Sequence, residues 1–166
     1  MTPEALLARL ASPDVYPQKL DLIRGGLLLI HFGEDAYRSS SFLDDRILGA
    51  ATRGGWVSVE RVVEAAGQLV DGMRPLHFVF HTGHVGSTLV SRLLDETGQV
   101  LSLREPLPLR TLAEAHDVLH APESLLAQAQ FDRLLEALLR LWRRSYAATR
   151  AVVLKATSSA ARLAPV

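Results

Sequence analysis

LHFVFHTGHVGSTLVSRLLDE, residues 76–96, decides how this chain reads. Residues 76–80 form a short, mostly apolar run that starts after Pro75 and ends in turn signals, the pattern of a buried parallel strand. HTGHVGST follows, and LVSRLLDE (89–96) has helical character, closed by Thr97 and Gly98. A strand that enters a glycine-rich loop and then a helix gathers loop amides and the positive end of the helix dipole around one point. Gly83 and Gly86 supply the backbone freedom that lets an anion come close. Ser87 and Thr88 place hydroxyls at the helix start, where they can donate to phosphate oxygens. The candidate anion-binding residues are therefore Gly83, His84, Val85, Gly86, Ser87 and Thr88. A plain serine-threonine helix cap after a turn fits GxxGST too. The flanking strand and helix favour the ligand-binding reading. The ATPase form of such a loop is GxxxxGK[ST]; here Ser87 stands at the lysine position and His81 at the first glycine.

Outward from this stretch, strands alternate with helices. QVLSL (99–103) reads as a second strand and REPLPLR (104–110) as a proline-held loop. Two helices follow, at about 111–120 and 123–147, the second with an apolar stripe from Leu125 to Trp142. AVVLK (151–155) reads as a third buried strand, and TSSAARL (157–163) starts another helix. Toward the N-terminus, Pro3 to Leu10 reads as a helix with Thr2 as N-cap. Residues 26–32 read as a strand, and SSSFLDDRIL (39–48) has helical spacing. Trp56-Val57 suggests a strand edge, and Ser58 caps a helix over 59–70. The alternation predicts an α/β fold with a mostly parallel sheet. Only three convincing strands follow Pro75, and the last helix has about two turns. The sheet therefore reads as incomplete and the chain as part of a larger fold. The alternative is a small domain whose N-terminal strands finish the sheet.

Composition narrows the function. Of 166 residues, 48% are apolar and 22% charged, as in ordinary globular proteins. Lys plus Arg and Asp plus Glu balance at 18 each, so nothing calls for a nucleic-acid track or an anionic membrane surface. The absence of cysteine rules out disulfides, thiolate metal sites and a cysteine nucleophile. The six histidines form no HExxH-like set, and no metal site is expected. There is no secretory leader, and residues 26–30 are too few to cross a bilayer, so a cytoplasmic location is expected.

The run HFVFHTGHVGSTLVSRLLDETGQVLSLREPLPL (77–109) resembles the opening of bacterial sulfotransferase-like proteins of the P-loop, PAPS-dependent type. In that family a strand leads into a basic-Ser-Gly-Thr-Thr loop or a close relative such as CGST. The loop grips the 5′-phosphate of PAPS (3′-phosphoadenosine 5′-phosphosulfate). A leucine-rich helix follows, then a strand ending in an acidic residue before proline. VVLKATSS (152–159) resembles a later family strand that ends in lysine. The resemblance implies a P-loop NTPase-like three-layer fold. Residues 75–166 would be the first portion of the nucleotide-binding domain, and residues 1–74 a small mixed α+β part on the sheet edge.

Position by position, Gly86, Ser87 and Thr88 match the loop, and His84 falls where the basic residue stands. Glu105 matches the acidic residue that acts as general base in several branches, and Lys155 matches the strand-end lysine. Glu105 and Lys155 are thus the implied catalytic residues. The implied reaction carries a sulfuryl group from PAPS to a hydroxyl or amine of a small-molecule or carbohydrate acceptor, without a metal. The family's 3′-phosphate site lies on later elements and has no counterpart here.

Two other functions remain open. One is a truncated or degenerate P-loop domain that binds a nucleotide without catalysis. The other is an ATP-dependent kinase, which lacks here its loop lysine and a strand-end aspartate. Each residue also has a plainer reading. Glu105 would pair with Arg104 or Arg110, Lys155 would be solvated, and His77 and His81 would be structural. Arg92 would face solvent or pair with Asp95 or Glu96, and Trp56 and Trp142 would be packing residues.

Overall fold

A computed structural model describes residues 1–70, 72–82 and 85–164. The chain starts with helix α1 (Pro3–Ala11), whose first turn is capped by Thr2 Oγ1 accepting from Ala5 N–H at 3.2 Å. Strands β1 (Val15–Asp21), β2 (Gly26–His31) and β3 (Gly54–Ser58) form an antiparallel sheet in the order β1-β2-β3. Pro17 is tolerated because β1 is an edge strand, and the register slips at the bulge between Pro17 and Lys19. Helix α2 (Glu34–Ser39) follows β2, and α3 (Val59–Gly67) follows β3.

The second sheet is parallel, built from β4 (Leu76–Val79), β5 (Val100–Arg104) and β6 (Ala151–Lys155) in the order β4-β6-β5. Helix α4 (Ser87–Glu96) joins β4 to β5; α5 (Leu107–Asp117) and α6 (Gln128–Trp142) join β5 to β6. The first crossover skips a place and the second returns to fill it. By the right-handed rule, α4 and the α5–α6 pair therefore lie on opposite faces. The antiparallel sheet packs through β1 on α5 and α6, while α3 lies along α6 and α2 reaches β5. One continuous apolar core runs from Leu6 and Tyr16 through Leu103 and Phe131 to Leu154 and Leu163.

Two buried arginines join the parts. Arg104 is fully buried; it pairs with Asp95 and donates to the carbonyls of Tyr37, Arg38 (3.1 Å) and Ser40 (2.8 Å). Arg144 donates to Leu10 O, Ser12 O, Val15 O and Leu141 O, tying the end of α6 to the end of α1. Burial pulls the Arg144 guanidinium down to about 10.

Several expectations need correction. SSSFLDDRIL is no helix: only Asp45–Ile47 makes a 3-10 turn, because Asp44 side chains its own loop by accepting from Arg46 N–H. REPLPLR is not a loop throughout, since α5 starts at Leu107 with Pro108 in its first turn, where a missing N–H costs nothing. α6 is shorter than expected, and Ser158–Leu163 is a 3-10 helix. The helix after Ser58 stops at Gly67, and the Ser58 hydroxyl goes to the Glu60 carboxylate rather than to a main-chain N–H. β1 and α2 were not legible in the sequence.

β4 is parallel as expected, but it is not buried. Phe78 and Phe80 are exposed and stack at 5.7 Å along the open edge. α4 is turned the opposite way from an ordinary amphipathic helix. Ser87, Ser91 and Asp95 face inward, while Leu89, Val90 and Leu93 face solvent. The inward side is held by hydrogen bonds: Ser102 Oγ donates to Ser91 O at 2.8 Å, and Ser102 N–H donates to Asp95 Oδ1 at 2.7 Å. Trp142 is core, whereas Trp56 lies on the surface over Gly26.

Candidate functional site

The parallel strands end at one crevice, the place where open α/β sheets bind ligands. Its walls are Phe42, His81, Val85, Gly86, Ser87, Thr88, Glu105 and Lys155, around about 300 Å³ of space. β4 delivers the loop, β5 delivers Glu105 one residue past its end, and β6 delivers Lys155 as its last residue. Gly83 and His84 lie outside the described residues.

The loop turns into α4 at Gly86, whose φ of 79° is the left-handed region that suits glycine. Gly86 O accepts from Val90 N–H at 3.1 Å, so it closes the first helical turn. Ser87 is buried and Thr88 half-buried at the crevice, and Val85 is exposed.

Glu105 has a φ of 56°, and it is the one non-glycine residue with positive φ among the described residues. A non-glycine residue held there costs on the order of 1–2 kcal/mol. Two contacts with one neighbour hold it. Glu105 N–H donates to Lys155 O at 2.7 Å, and the Lys155 ammonium donates to Glu105 Oε1. Lys155 is therefore not a solvated strand end; its side chain is 2% exposed against 21% for Glu105. Neither Arg104 nor Arg110 pairs with Glu105: Arg104 is taken by Asp95, and Arg110 by Glu114.

Among the described residues, Glu105 Oε1 is the only hydrogen-bond acceptor of Lys155 Nζ. An ammonium has three donors, so two have no acceptor among the described residues. A buried cation beside two hydroxyls and a helix start could hold an anion.

Three further side chains complete the walls. His81 lines the crevice, its Nε2 3.8 Å from Glu105 Oε1. Phe42 comes from the N-terminal part: its ring lies 5.6 Å from Lys155 Nζ, and the Arg46 guanidinium covers it at 4.0 Å. The neighbouring Leu43 is pinned twice, by its N–H donating to Arg104 O at 2.7 Å and by Tyr16 Oη donating to its carbonyl at 3.1 Å. Hydrogen bonding from Arg46 holds the Asp44 carboxyl below its ordinary range, and Asp44 in turn raises Arg46, with the field of Glu105 adding to it. No sequence signal marked Phe42, since its placement depends on that pairing of residue 43 with the end of β5. Arg92 reaches Ser41 Oγ at 2.6 Å rather than Asp95 or Glu96.

Larger grooves exist, one of about 610 Å³ beside Trp56 and one of about 420 Å³ between α3 and α6. Neither gathers a buried ionisable side chain with a loop at strand ends. Among the described residues no three histidine, aspartate or glutamate side chains group as a metal site needs, and no helix is long and apolar enough to cross a membrane. Compared with family models, curated proteins and solved structures, the chain matches none of them.

Proposed function

We propose that the crevice binds a sulfated or phosphorylated nucleotide, with PAPS as donor, and transfers its sulfuryl group to a hydroxyl or amine of a small-molecule or carbohydrate acceptor. On this reading residues 75–166 are the start of a P-loop NTPase-like, sulfotransferase-type domain. The observation that carries the proposal is the meeting of Ser87, Thr88, Glu105 and Lys155 around one cavity, from three strand ends far apart in sequence.

The residues fit such a donor. Lys155 has two N–H donors with no acceptor among the described residues, and Ser87 and Thr88 add hydroxyls at the helix start. PAPS supplies a sulfuryl group on a phosphate leaving group. Reactions of this kind depend on positioning and charge stabilisation rather than on covalent help from the protein. The loop residues Val85 to Thr88 hold the phosphate, and Lys155 offsets the negative charge that grows on the departing oxygen. Glu105 takes the proton from the attacking hydroxyl or amine, a contribution of about 10²–10⁴ in rate. Phe42, backed by Arg46, forms one wall of the crevice, where the acceptor would enter.

A second reading, nucleotide binding without turnover, draws on the same ion pair, because a carboxylate occupied by Lys155 is not a free proton acceptor. A thermal melt with 3′,5′-ADP, and separately with ATP and magnesium, tests binding. At about 100 times its dissociation constant, a ligand adds roughly 2.7 kcal/mol of stability. A midpoint raised by 3′,5′-ADP and not by ATP supports the donor assignment. A rise with ATP and magnesium alone overturns it. Transfer of labelled sulfate from PAPS to a panel of phenols, amines and sugars then separates turnover from binding.

A further inference from the structure

We infer that Lys155 is a shared cation for which Glu105 and the incoming anion compete, so that anion binding is what releases Glu105 to act as base. This deepens the proposed function and rests on it.

The inference starts from the donor count. Lys155 Nζ is buried, bonds to one acceptor among the described residues, and borders the same cavity as Ser87 and Thr88. Glu105 Oε1 accepts that bond, and the same oxygen lies 3.8 Å from His81 Nε2. While the ammonium holds Oε1, a substrate hydroxyl has to share the carboxylate with that cation. A phosphosulfate or a pyrophosphate carries more than the single charge of a carboxylate and has several acceptor oxygens, so it draws the ammonium toward the loop. The Lys155–Glu105 hydrogen bond breaks, a Lys155–anion hydrogen bond forms, and the carboxylate keeps its charge while losing its partner.

The left-handed backbone of Glu105 keeps its position when the pair opens, because its N–H stays bonded to Lys155 O. The Phe42 ring beside Nζ gives the ammonium an aromatic surface along which to move. The consequence is an order of events: the donor anion binds first, and the acceptor is deprotonated only afterwards.

The test uses the full chain with pyrophosphate and with 3′,5′-ADP as probes. Glu105→Gln keeps the shape but removes the competing charge. It is expected to tighten binding of both probes about tenfold, since a charge-assisted bond no longer has to be broken. In a Lys155→Met background the same Glu105 change is expected to alter affinity less than about twofold, the signature of coupling through the lysine. Equal tightening in both backgrounds overturns the inference, because Glu105 then acts by repulsion alone. Weaker binding by Glu105→Gln also overturns it, and makes Glu105 a residue that merely positions Lys155.

A second readout does not depend on the variants. The chain has only two lysines, Lys19 and Lys155, so lysine side-chain NMR gives two assignable ammonium signals. Pyrophosphate is expected to move the Lys155 signal and leave that of Lys19, which is paired with Asp45 at 2.9 Å. An unmoved Lys155 signal at saturation overturns the competition while leaving anion binding intact. No binding of either probe by the wild-type chain overturns the proposed function itself.

Discussion

Asp95→Ala tests the buried link between the parallel sheet and the N-terminal part. Asp95 is 7% exposed and Arg104 is fully buried, so the substitution leaves a guanidinium without its carboxylate. Breaking a buried pair by removing one partner costs about 3–5 kcal/mol. Arg104 retains the carbonyls of Tyr37, Arg38 and Ser40, which moves its share to the lower end, about 3 kcal/mol. Ser102 N–H also loses its acceptor Asp95 Oδ1, for roughly 1 kcal/mol more. A loss of about 4 kcal/mol lowers the thermal midpoint of a chain this size by about 8–16 °C. Urea unfolding should show a lower midpoint concentration at an unchanged slope. Adding Arg104→Met to Asp95→Ala removes the orphaned charge, so the double variant should be more stable than the sum of the single losses by about 2 kcal/mol. A loss under about 1 kcal/mol for Asp95→Ala, or strict additivity in the double variant, refutes the reasoning.

Three other outcomes are expected. All three tyrosines, Tyr16, Tyr37 and Tyr146, are held above the ordinary phenol value, chiefly by burial. The unfolded chain then ionises first, so their contribution is complete below about pH 10 and is lost as pH rises above it. The depressed Arg144 works the other way from about 10 upward, one group against three. Tyrosinate absorbance should therefore appear in one step with loss of far-UV circular dichroism, and a tyrosine that titrates early in the folded chain would contradict this. Gly86→Ala should cost about 1–2 kcal/mol by denaturant unfolding, from the left-handed φ alone, because a Cβ there meets no atom within 4 Å. A cost above about 3 kcal/mol would mean that the loop is packed more tightly than this. Phe78→Lys places a charge on the open edge of β4 and should reduce light scattering of concentrated samples without lowering the thermal midpoint; a large drop in midpoint would show that Phe78 is part of the core.

Much of the fold was legible because its signals are local. The apolar runs at 76–80, 99–103 and 151–155 mark β4, β5 and β6, and Thr2 before Pro3 marks the start of α1. The elements that were misread are those where side chains compete with periodicity. Asp44 turns residues 39–48 away from a helix, and Pro108 opens α5 where a loop was expected. β1 was hidden by Pro17, which only an edge position allows.

The sequence by itself determined the order of strand, loop and helix after Pro75 and the residue types available for chemistry, since these follow from spacing and backbone preference over a few residues. It also determined that Lys155 ends its strand and that Glu105 follows closely after another. Only the tertiary structure decided that β6 inserts between β4 and β5, and this brings Lys155 into contact with Glu105 fifty positions earlier. It alone decided that Phe42 joins the crevice and that α4 turns its serines inward, because a buried Arg104–Asp95–Ser102 network outweighs the helix's own apolar pattern. Pairing across long stretches of chain depends on which surfaces meet, and periodicity along one segment carries no record of its partner.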